Sequence, residues 1–282
     1  MQKPFYQLEH HHEVIRQFTP NWFTMTMGTG VVALILPEFS FVHEWFWSVG
    51  AGLWQFNTIL FCVFSLLYLL RWLIYPHEAK QIFSHASMAL FLGAIPMGLA
   101  TVMNGFLKYG MTLYGDLALQ IAHGLWYLDV VLAVLIGIIV PFFMFSQQKH
   151  ELQTMTAMWL LPIVACEVAA TSGGLLLAHL PAGQEAVGIL FASYVLWGMS
   201  VLPAFGILSI LMLRLALHQL PSKELAITGW LALGPIGTGA LALLVLGAQA
   251  PQVLAWIQMQ QLGVFFQNIG IVASFILLGF GI

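Results

Sequence analysis

Two carboxylic acids interrupt segments that are otherwise apolar. Asp129 stands in HGLWYLDVVLAV and Glu167 in LPIVACEVAATSGG. An acid at the middle of a membrane helix costs about 2.5–3.5 kcal/mol on insertion scales and usually faces the interior of a bundle. Glu167 could couple proton uptake to anion passage, or be a structural carboxyl bonded to a neighbouring helix, and the residues leave both open. For Asp129, which lies in a bulkier helix, they favour the structural role.

Uncharged polar groups offer a second kind of chemistry near the start of the chain. Thr26, Thr29 and Ala33 in FTPNWFTMTMGTGVVA follow at spacings of three and four, so they share a helix face, with Gly30 beside it. Hydroxyls on such a face can donate hydrogen bonds to a passing anion without adding charge. We expect this face to line a passage.

A third candidate stands in LGAIPMGLATVMNG. There Asn104 has Ala100 and Pro96 behind it on the same stretch, and the three are predicted to line the same passage. An interhelical hydrogen bond is the alternative role for Asn104.

Other chemistry is excluded or disfavoured. Three consecutive histidines, His10, His11 and His12, cannot all face one metal ion, so a solvated tail is the prediction. The chain has no Walker motif, no glycine-rich phosphate loop and no nucleophile with partners, so we predict no enzyme, no metal site and no cofactor. The net charge of −3 points to no nucleic-acid partner.

The elements that carry these residues must be membrane helices. Of 282 residues, 60% are hydrophobic and only 7% charged, against about 25% charged in soluble domains. The apolar runs are long and do not alternate, so the predicted fold class is an all-α integral membrane protein. Eight charge-poor stretches reach spanning length: 20–37, 48–75, 87–107, 118–146, 156–180, 186–217, 225–249 and 262–282. We expect a cytoplasmic tail over 1–19 and a transmembrane transport domain over 20–282.

Charge predicts the orientation. With eight spans, seven of the eight Lys and Arg residues fall on the N-terminal side, and only Lys108 falls on the other. The positive-inside rule then places the N-terminus in the cytoplasm, in a multi-pass protein of the cytoplasmic (inner) membrane. The seven are Lys3, Arg16, Arg71, Lys80, Lys149, Arg214 and Lys223.

A repeat of one helical hairpin organises the spans. Each odd-numbered span carries a proline near its start, followed closely by small residues; the prolines are Pro20, Pro96, Pro162 and Pro235. Small residues let helices approach closely, and proline bends a helix where protein or water can satisfy the freed backbone. Small, kinked odd helices inside bulky even helices describe hairpins ringed around a central passage, with Thr171, Gly173 and Thr238 added to its predicted lining. Tight packing without a pore is the alternative.

The motifs together resemble a known family. FTPNWFTMTMGTG, HASMALFLGAIPMGL, WLLPIVACEVAATSGG and GWLALGPIGTGALALLVLG, in this order, are similar to the tellurite-resistance/dicarboxylate-transporter family, which includes TehA proteins, malic-acid transporters, sulfite exporters and slow anion channels. The resemblance implies ten helices in five hairpins around a pore, inner helices kinked at proline, a homotrimer, and transport of C4-dicarboxylates such as malate, sulfite or small inorganic anions.

The chain departs from the family pattern in length. It carries eight predicted spans where the family has ten, and the family's pore-plugging phenylalanine in the ninth helix has no counterpart. The sequence closes on FILLGFGI with no polar tail, so we expect a truncated chain. Anion transport is the predicted function, and a proton-coupled dicarboxylate carrier using Glu167 and a non-transporting membrane scaffold are the alternatives.

Overall fold

A computed structural model describes residues 12–223 and 225–282, and all regular secondary structure in these ranges is helical. Within these ranges, eight helices are long and apolar enough to cross a membrane, which confirms the eight predicted stretches. We number them as spans 1 to 8: Pro20–Phe39, Trp45–Ile74, Met88–Tyr114, Asp116–Ser146, Ala157–Leu177, Gln184–His218, Ala226–Ala255 and Gln260–Gly281. The predictions for Lys3, His10 and His11 lie outside the described residues.

Spans 1, 3, 5 and 7 share one way of beginning. Each opens with a 3-10 segment and continues as an α-helix; the 3-10 segments are Pro20–Trp22, Met88–Gly93, Ala157–Leu160 and Ala226–Ala232. The α-helical parts then begin at Phe23, Ala94, Leu161 and Leu233. The hairpin repeat predicted from the prolines is therefore a repeat of this junction.

The prolines fit the junction because proline has no backbone N–H group. Pro96, Pro162 and Pro235 lie in the first turn of their α-helical parts, where an absent N–H leaves no intrahelical bond unmade. These prolines therefore interrupt no hydrogen bond of the α-helices that they begin. Among the described residues, prolines in helix interiors are Pro141 in span 4, Pro203 in span 6 and Pro251 in span 7.

Burial separates inner from outer helices. In the most apolar 18-residue window, 78% of span 3 and 83% of span 5 are buried, against 22% of span 2 and of span 4. Small residues thus mark the interior at spans 3 and 5, as predicted. Spans 1 and 7 are less buried, at 22% and 44%, because each has an inner neighbour on one side only.

The inner helices form a row in chain order. Span 1 contacts span 3, span 3 contacts span 5, and span 5 contacts span 7, while each even span lies against its own hairpin partner. Span 4 also touches span 5, and span 6 also touches span 7, so each of these outer helices covers the seam between two inner ones. Large apolar side chains such as Phe56, Leu66 and Phe142 are exposed on the outer spans, as expected of a surface in contact with lipid.

Three hairpins share a clasp at their N-terminal side. In each, a side chain at the end of the outer helix donates to a backbone carbonyl in the segment leading into its own inner helix. The pairs are Arg71 Nη1 to Phe18 O at 2.5 Å, Gln148 Nε2 to Phe83 O at 2.7 Å, and Arg214 Nη2 to Gln153 O at 2.9 Å. These bonds fix the start of each inner helix relative to its partner.

Candidate functional site

A series of polar contacts joins the four inner spans near mid-depth. Thr101 Oγ1 lies 3.4 Å from the carbonyl oxygen of Thr26, Asn104 Nδ2 donates to Ser172 Oγ at 3.0 Å, and Thr171 Oγ1 lies 3.4 Å from the carbonyl oxygen of Thr238. The Asn104–Ser172 hydrogen bond joins span 3 to span 5, and the two 3.4 Å contacts bring span 1 against span 3 and span 5 against span 7. We call these six residues the polar belt.

Three of the four threonines in the belt already donate their hydroxyl protons to carbonyl oxygens of their own helices. Thr26 donates to Phe23 O at 2.8 Å, Thr101 to Gly98 O at 2.8 Å, and Thr171 to Glu167 O at 2.9 Å. A hydroxyl in a membrane helix satisfies itself in this way by bonding a carbonyl one turn back. These three side chains therefore contribute little as donors to an anion.

The face predicted on span 1 packs between helices. Thr26, Gly30 and Ala33 are buried against spans 2 and 3. A Cβ on Gly30 would come within 2.0 Å of Thr101 Oγ1 and 2.7 Å of Asn57 Nδ2. The small residues here serve close helix contact, which is the alternative that the sequence left open.

Thr29 lies at the edge of the same face, about 60° from Thr26 and about 40° from Ala33 around the helix axis. It is half-buried, whereas Thr26 and Ala33 are fully buried. Met27, about half a turn from Thr29, packs against the apolar cluster that includes Met97 of span 3.

Asn104 faces the inner side of the row. Phe106 stacks edge-on against Trp54 of outer span 2, with ring centroids 5.1 Å apart, and Asn104 projects about half a turn from Phe106. Its amide oxygen is buried and has no hydrogen-bond partner among the described residues. Of the predicted lining residues on span 3, Ala100 and Pro96 are fully packed, whereas Asn104 is half-buried.

The remaining predicted residues divide by position. Pro162 and Pro235 are buried in the first turns of their helices, and Thr238 is half-buried beside the belt. A Cβ on Gly173 would lie 2.2 Å from Ser193 Oγ and within 3.1 Å of an indole on span 4. Gly173 therefore packs at the seam with spans 4 and 6.

Glu167 lies in a seam beside the belt. It is fully buried, and its Oε2 accepts a hydrogen bond of 3.0 Å from Ser200 Oγ on span 6. A Cβ on Gly239 of span 7 would lie 3.8 Å from the same oxygen, while Oε1 has no partner among the described residues. The carboxyl group thus contacts three helices and points toward span 6.

Asp129 is buried between spans 4 and 5. One turn before it, Trp126 Nε1 donates to Ala169 O at 3.0 Å, and one turn after it Ala133 joins the cluster around span 5. Neither carboxyl oxygen has a partner among the described residues. This position is consistent with the structural role favoured by the sequence.

On the side of the bundle opposite the N-terminus, an ion pair joins spans 1 and 3. Lys108 on span 3 contacts Glu38 at the end of span 1. Lys108 projects about half a turn from Phe106, which places it on the same inner side as Asn104. The sequence gave no sign of this partner.

Outside the spans, a second ion pair ties the N-terminal segment to the first hairpin. Arg16 Nε contacts Glu78 Oε2 at 2.8 Å. The bond to the carboxylate raises the pKa of Arg16, and the bond to the guanidinium lowers the pKa of Glu78. Among the described residues no group of His, Cys, Asp and Glu has the geometry to hold a metal ion.

These features define a multi-pass helical membrane protein with a neutral polar belt across its inner helices. The chain matches the voltage-dependent anion channel family (SLAC1) over residues 17–282, and it belongs to that family. This confirms the resemblance and the predicted function, which is anion transport.

Individual relatives agree with the family. The chain is 34% identical to "Sulfite efflux pump SSU1" of Arthroderma otae over 270 residues, which cover 95% of this chain and 72% of the relative. It is 28% identical to an uncharacterized transporter of Methanocaldococcus jannaschii, covering 85% and 67%. It is 25% identical to the "Malic acid transport protein" of Schizosaccharomyces pombe, covering 73% and 48%. The family and these relatives are channels and transporters.

Proposed function

We propose that the protein conducts a small oxyanion, with sulfite as the leading substrate, along the inner side of spans 1, 3, 5 and 7. The observation that carries this proposal is the Asn104–Ser172 pair, which places an amide with a second N–H donor, beyond the one given to Ser172, between the two most buried spans. The choice of sulfite and of the outward direction rests on the relatives that are sulfite efflux pumps. Malate is the second candidate.

The pair suits an anion because its polarity can be rearranged. Ser172 accepts from Asn104, and its hydroxyl proton has no acceptor recorded among the described residues. A hydroxyl can rotate to donate or accept, and an amide presents two N–H donors. An anion beside the pair would therefore receive hydrogen bonds without any fixed charge nearby, leaving selection to passage width and donor number.

The lack of fixed positive charge at this depth favours low ionic charge. Transfer of an ion out of water becomes steeply more costly as its charge rises, and a neutral lining returns only part of that cost. We therefore expect a singly charged oxyanion such as bisulfite to pass more readily than doubly charged malate.

Proton coupling through Glu167 is the alternative mechanism. It is supported by the carboxyl oxygen without a partner and by the contacts of the side chain with spans 6 and 7. Its position in a seam, with Ser200 bound to one oxygen, favours a structural carboxyl instead. Passive conduction requires no proton acceptor, so we propose the passive mechanism.

Orientation and assembly complete the proposal. We place the N-terminal side in the cytoplasm and the protein in the cytoplasmic membrane, because Arg16, Arg71, Lys80, Lys149, Arg214 and Lys223 all lie on that side. Residues 1–19 would then form a cytoplasmic tail and 20–282 the transport domain. A homotrimer is proposed from the family resemblance.

Reconstitution tests the proposal directly. The purified chain is placed in liposomes, and fluxes of sulfite, malate, nitrate and chloride are followed with and without a pH gradient. Passive flux with sulfite ahead of malate is the expected result. Uptake that requires the gradient would support the coupled carrier, and a folded protein without any flux would support the scaffold reading.

A further inference from the structure

The inference concerns the mouth of the passage on the side opposite the N-terminus, which we call the far mouth. We infer that Glu38 is a specificity-determining residue that cancels the charge of Lys108 at the far mouth and so restricts anion uptake from that side. The inference rests on the proposed function, since it assumes that anions travel along the inner side of the row.

The local geometry of span 3 determines where the Lys108 side chain lies. Residues Phe106–Gly110 form a π-helical turn within span 3. Phe106 packs outward on Trp54, and Tyr109 donates to the carbonyl oxygen of Ala33 on span 1. Lys108 is left exposed on the inner side, and a single wide turn of this kind is frequent at functional sites.

Lys108 is also the next charged group beyond the belt. It follows Asn104 by four residues, one helical turn nearer the far mouth. An anion that leaves the Asn104–Ser172 pair toward the far side would therefore meet this ammonium group. Glu38 lies against it from the end of span 1, so the pair as a whole presents almost no net charge.

The surrounding charges make this cancellation consequential. Among the described residues at the far ends and far connections, Lys108 is the one Lys or Arg, and it is accompanied by Glu38, Glu44, Asp116 and Glu185. The N-terminal side has the opposite balance, with six Lys and Arg residues against Glu13, Glu78 and Glu151 in the described ranges. The described Lys, Arg, Asp and Glu residues thus give a positive balance on the N-terminal side and a negative one on the far side.

Without Glu38, the far mouth would hold a bare ammonium group. In water and at low salt, one unit charge within roughly 4–10 Å of a passing anion changes the local anion concentration by roughly two- to fivefold. Because both side chains of the pair are substantially exposed, the pair itself adds little to stability, and its loss should leave the fold intact.

The experiment compares the two faces of the membrane. Sulfite uptake is measured in right-side-out and in inverted membrane vesicles, for the wild type, Glu38→Gln, Lys108→Gln and the double variant, at ionic strengths of about 0.05 and 0.5 M. We expect Glu38→Gln to raise the initial rate about two- to fivefold in one vesicle type only, and Lys108→Gln to lower it. The double variant should return to near the wild-type rate, and high salt should remove the differences.

Glu44→Gln is the matched control, because Glu44 is exposed on the same side and forms no ion pair within the described ranges. It should change the rate less than Glu38→Gln does. Equal changes in both vesicle types would overturn the inference. A double variant with a lower uptake rate than either single variant would overturn it as well. Absence of sulfite flux in the wild type would overturn the proposed function as well, whereas wild-type flux with an unchanged Glu38→Gln would overturn this inference alone.

Discussion

Asn104 and Ser172 are joined by a hydrogen bond of 3.0 Å between Nδ2 and Oγ, and this bond links the two most buried spans of the bundle. Three of the four threonines of the polar belt donate their protons within their own helices, so these three have little left to donate to a ligand. Asn104 Nδ2 keeps a second N–H beyond the bond to Ser172, and this N–H can donate to an anion. The proposed anion path therefore depends on this amide.

Asn104→Ala should lower sulfite flux about tenfold. The substitution removes a donor to the anion worth about 1–1.5 kcal/mol, and it leaves the helix backbone unchanged. Initial rates in proteoliposomes measure the effect. Asn268→Ala is the matched control, because Asn268 is an exposed asparagine of span 8, and it should leave the rate unchanged. Equal losses in the two variants would remove the amide from the proposed path.

Gly30→Ala should destabilise the protein by about 1–3 kcal/mol, because the added methyl group meets Thr101 and Asn57 in a closely packed contact. Gly28 lies two residues away on the same helix, and a Cβ there meets no atom within 4 Å. Gly28→Ala should therefore be neutral or slightly stabilising. Thermal unfolding in detergent compares the pair, and similar melting temperatures would show that the contact between spans 1 and 3 can relax.

These two predictions show what the sequence could and could not supply. Span positions were readable from hydropathy alone, since the apolar runs and the eight helices agree to within several residues. The inner position of spans 3 and 5 was readable from their small residues. The choice between lining and packing was not, because glycine and threonine at helical spacing serve both purposes, and only the neighbouring side chains decide between them.

The sequence did not predict the pairing of Ser172 with Asn104 or of Glu38 with Lys108. Ser172 directly follows Thr171, yet its partner Asn104 is 68 residues away, so no local spacing could pair them. Lys108 and Glu38 are separated by 70 residues. A hydrogen bond between distant helices depends on how each helix is rotated about its axis. The π-helical turn after Asn104 changes that rotation for the residues that follow, and the periodicity of the sequence does not predict the turn.

Arg71→Leu should destabilise the first hairpin by about 1–3 kcal/mol, because it leaves the buried carbonyl of Phe18 without its donor. Arg71→Gln should recover part of the loss, since Gln148 makes the equivalent bond in the second hairpin. Unfolding temperatures compare the two. Lys80→Gln, at an exposed lysine on the same side, is the control and should have no effect. A Gln variant no better than Leu would show that the charge matters, and not the hydrogen bond.

The Arg16–Glu78 pair predicts a pH dependence. Because the pKa of Glu78 is lowered in the folded state, the contribution of the pair is present at neutral pH and is lost as the pH falls through that lowered value. Glu78→Gln should therefore narrow the difference in unfolding temperature between neutral and acidic buffer. Both groups are exposed, so the effect should be small and should shrink in high salt. An unchanged pH profile in Glu78→Gln would assign the dependence to other groups.

Glu167→Gln separates the two mechanisms. The carboxyl lies in the seam of spans 5, 6 and 7, where Ser200 donates to one of its oxygens. Glutamine keeps the volume of the side chain and an acceptor oxygen for that hydroxyl. We therefore expect a folded protein with sulfite flux within about twofold of the wild type. Even complete loss of the bond from Ser200 would change stability by only about 1 kcal/mol. Ser200→Ala is the companion variant and should behave alike. If imposed pH gradients drive uphill uptake in the wild type and no longer do so in Glu167→Gln, while passive exchange persists, then Glu167 carries the coupled proton and the passive mechanism is wrong.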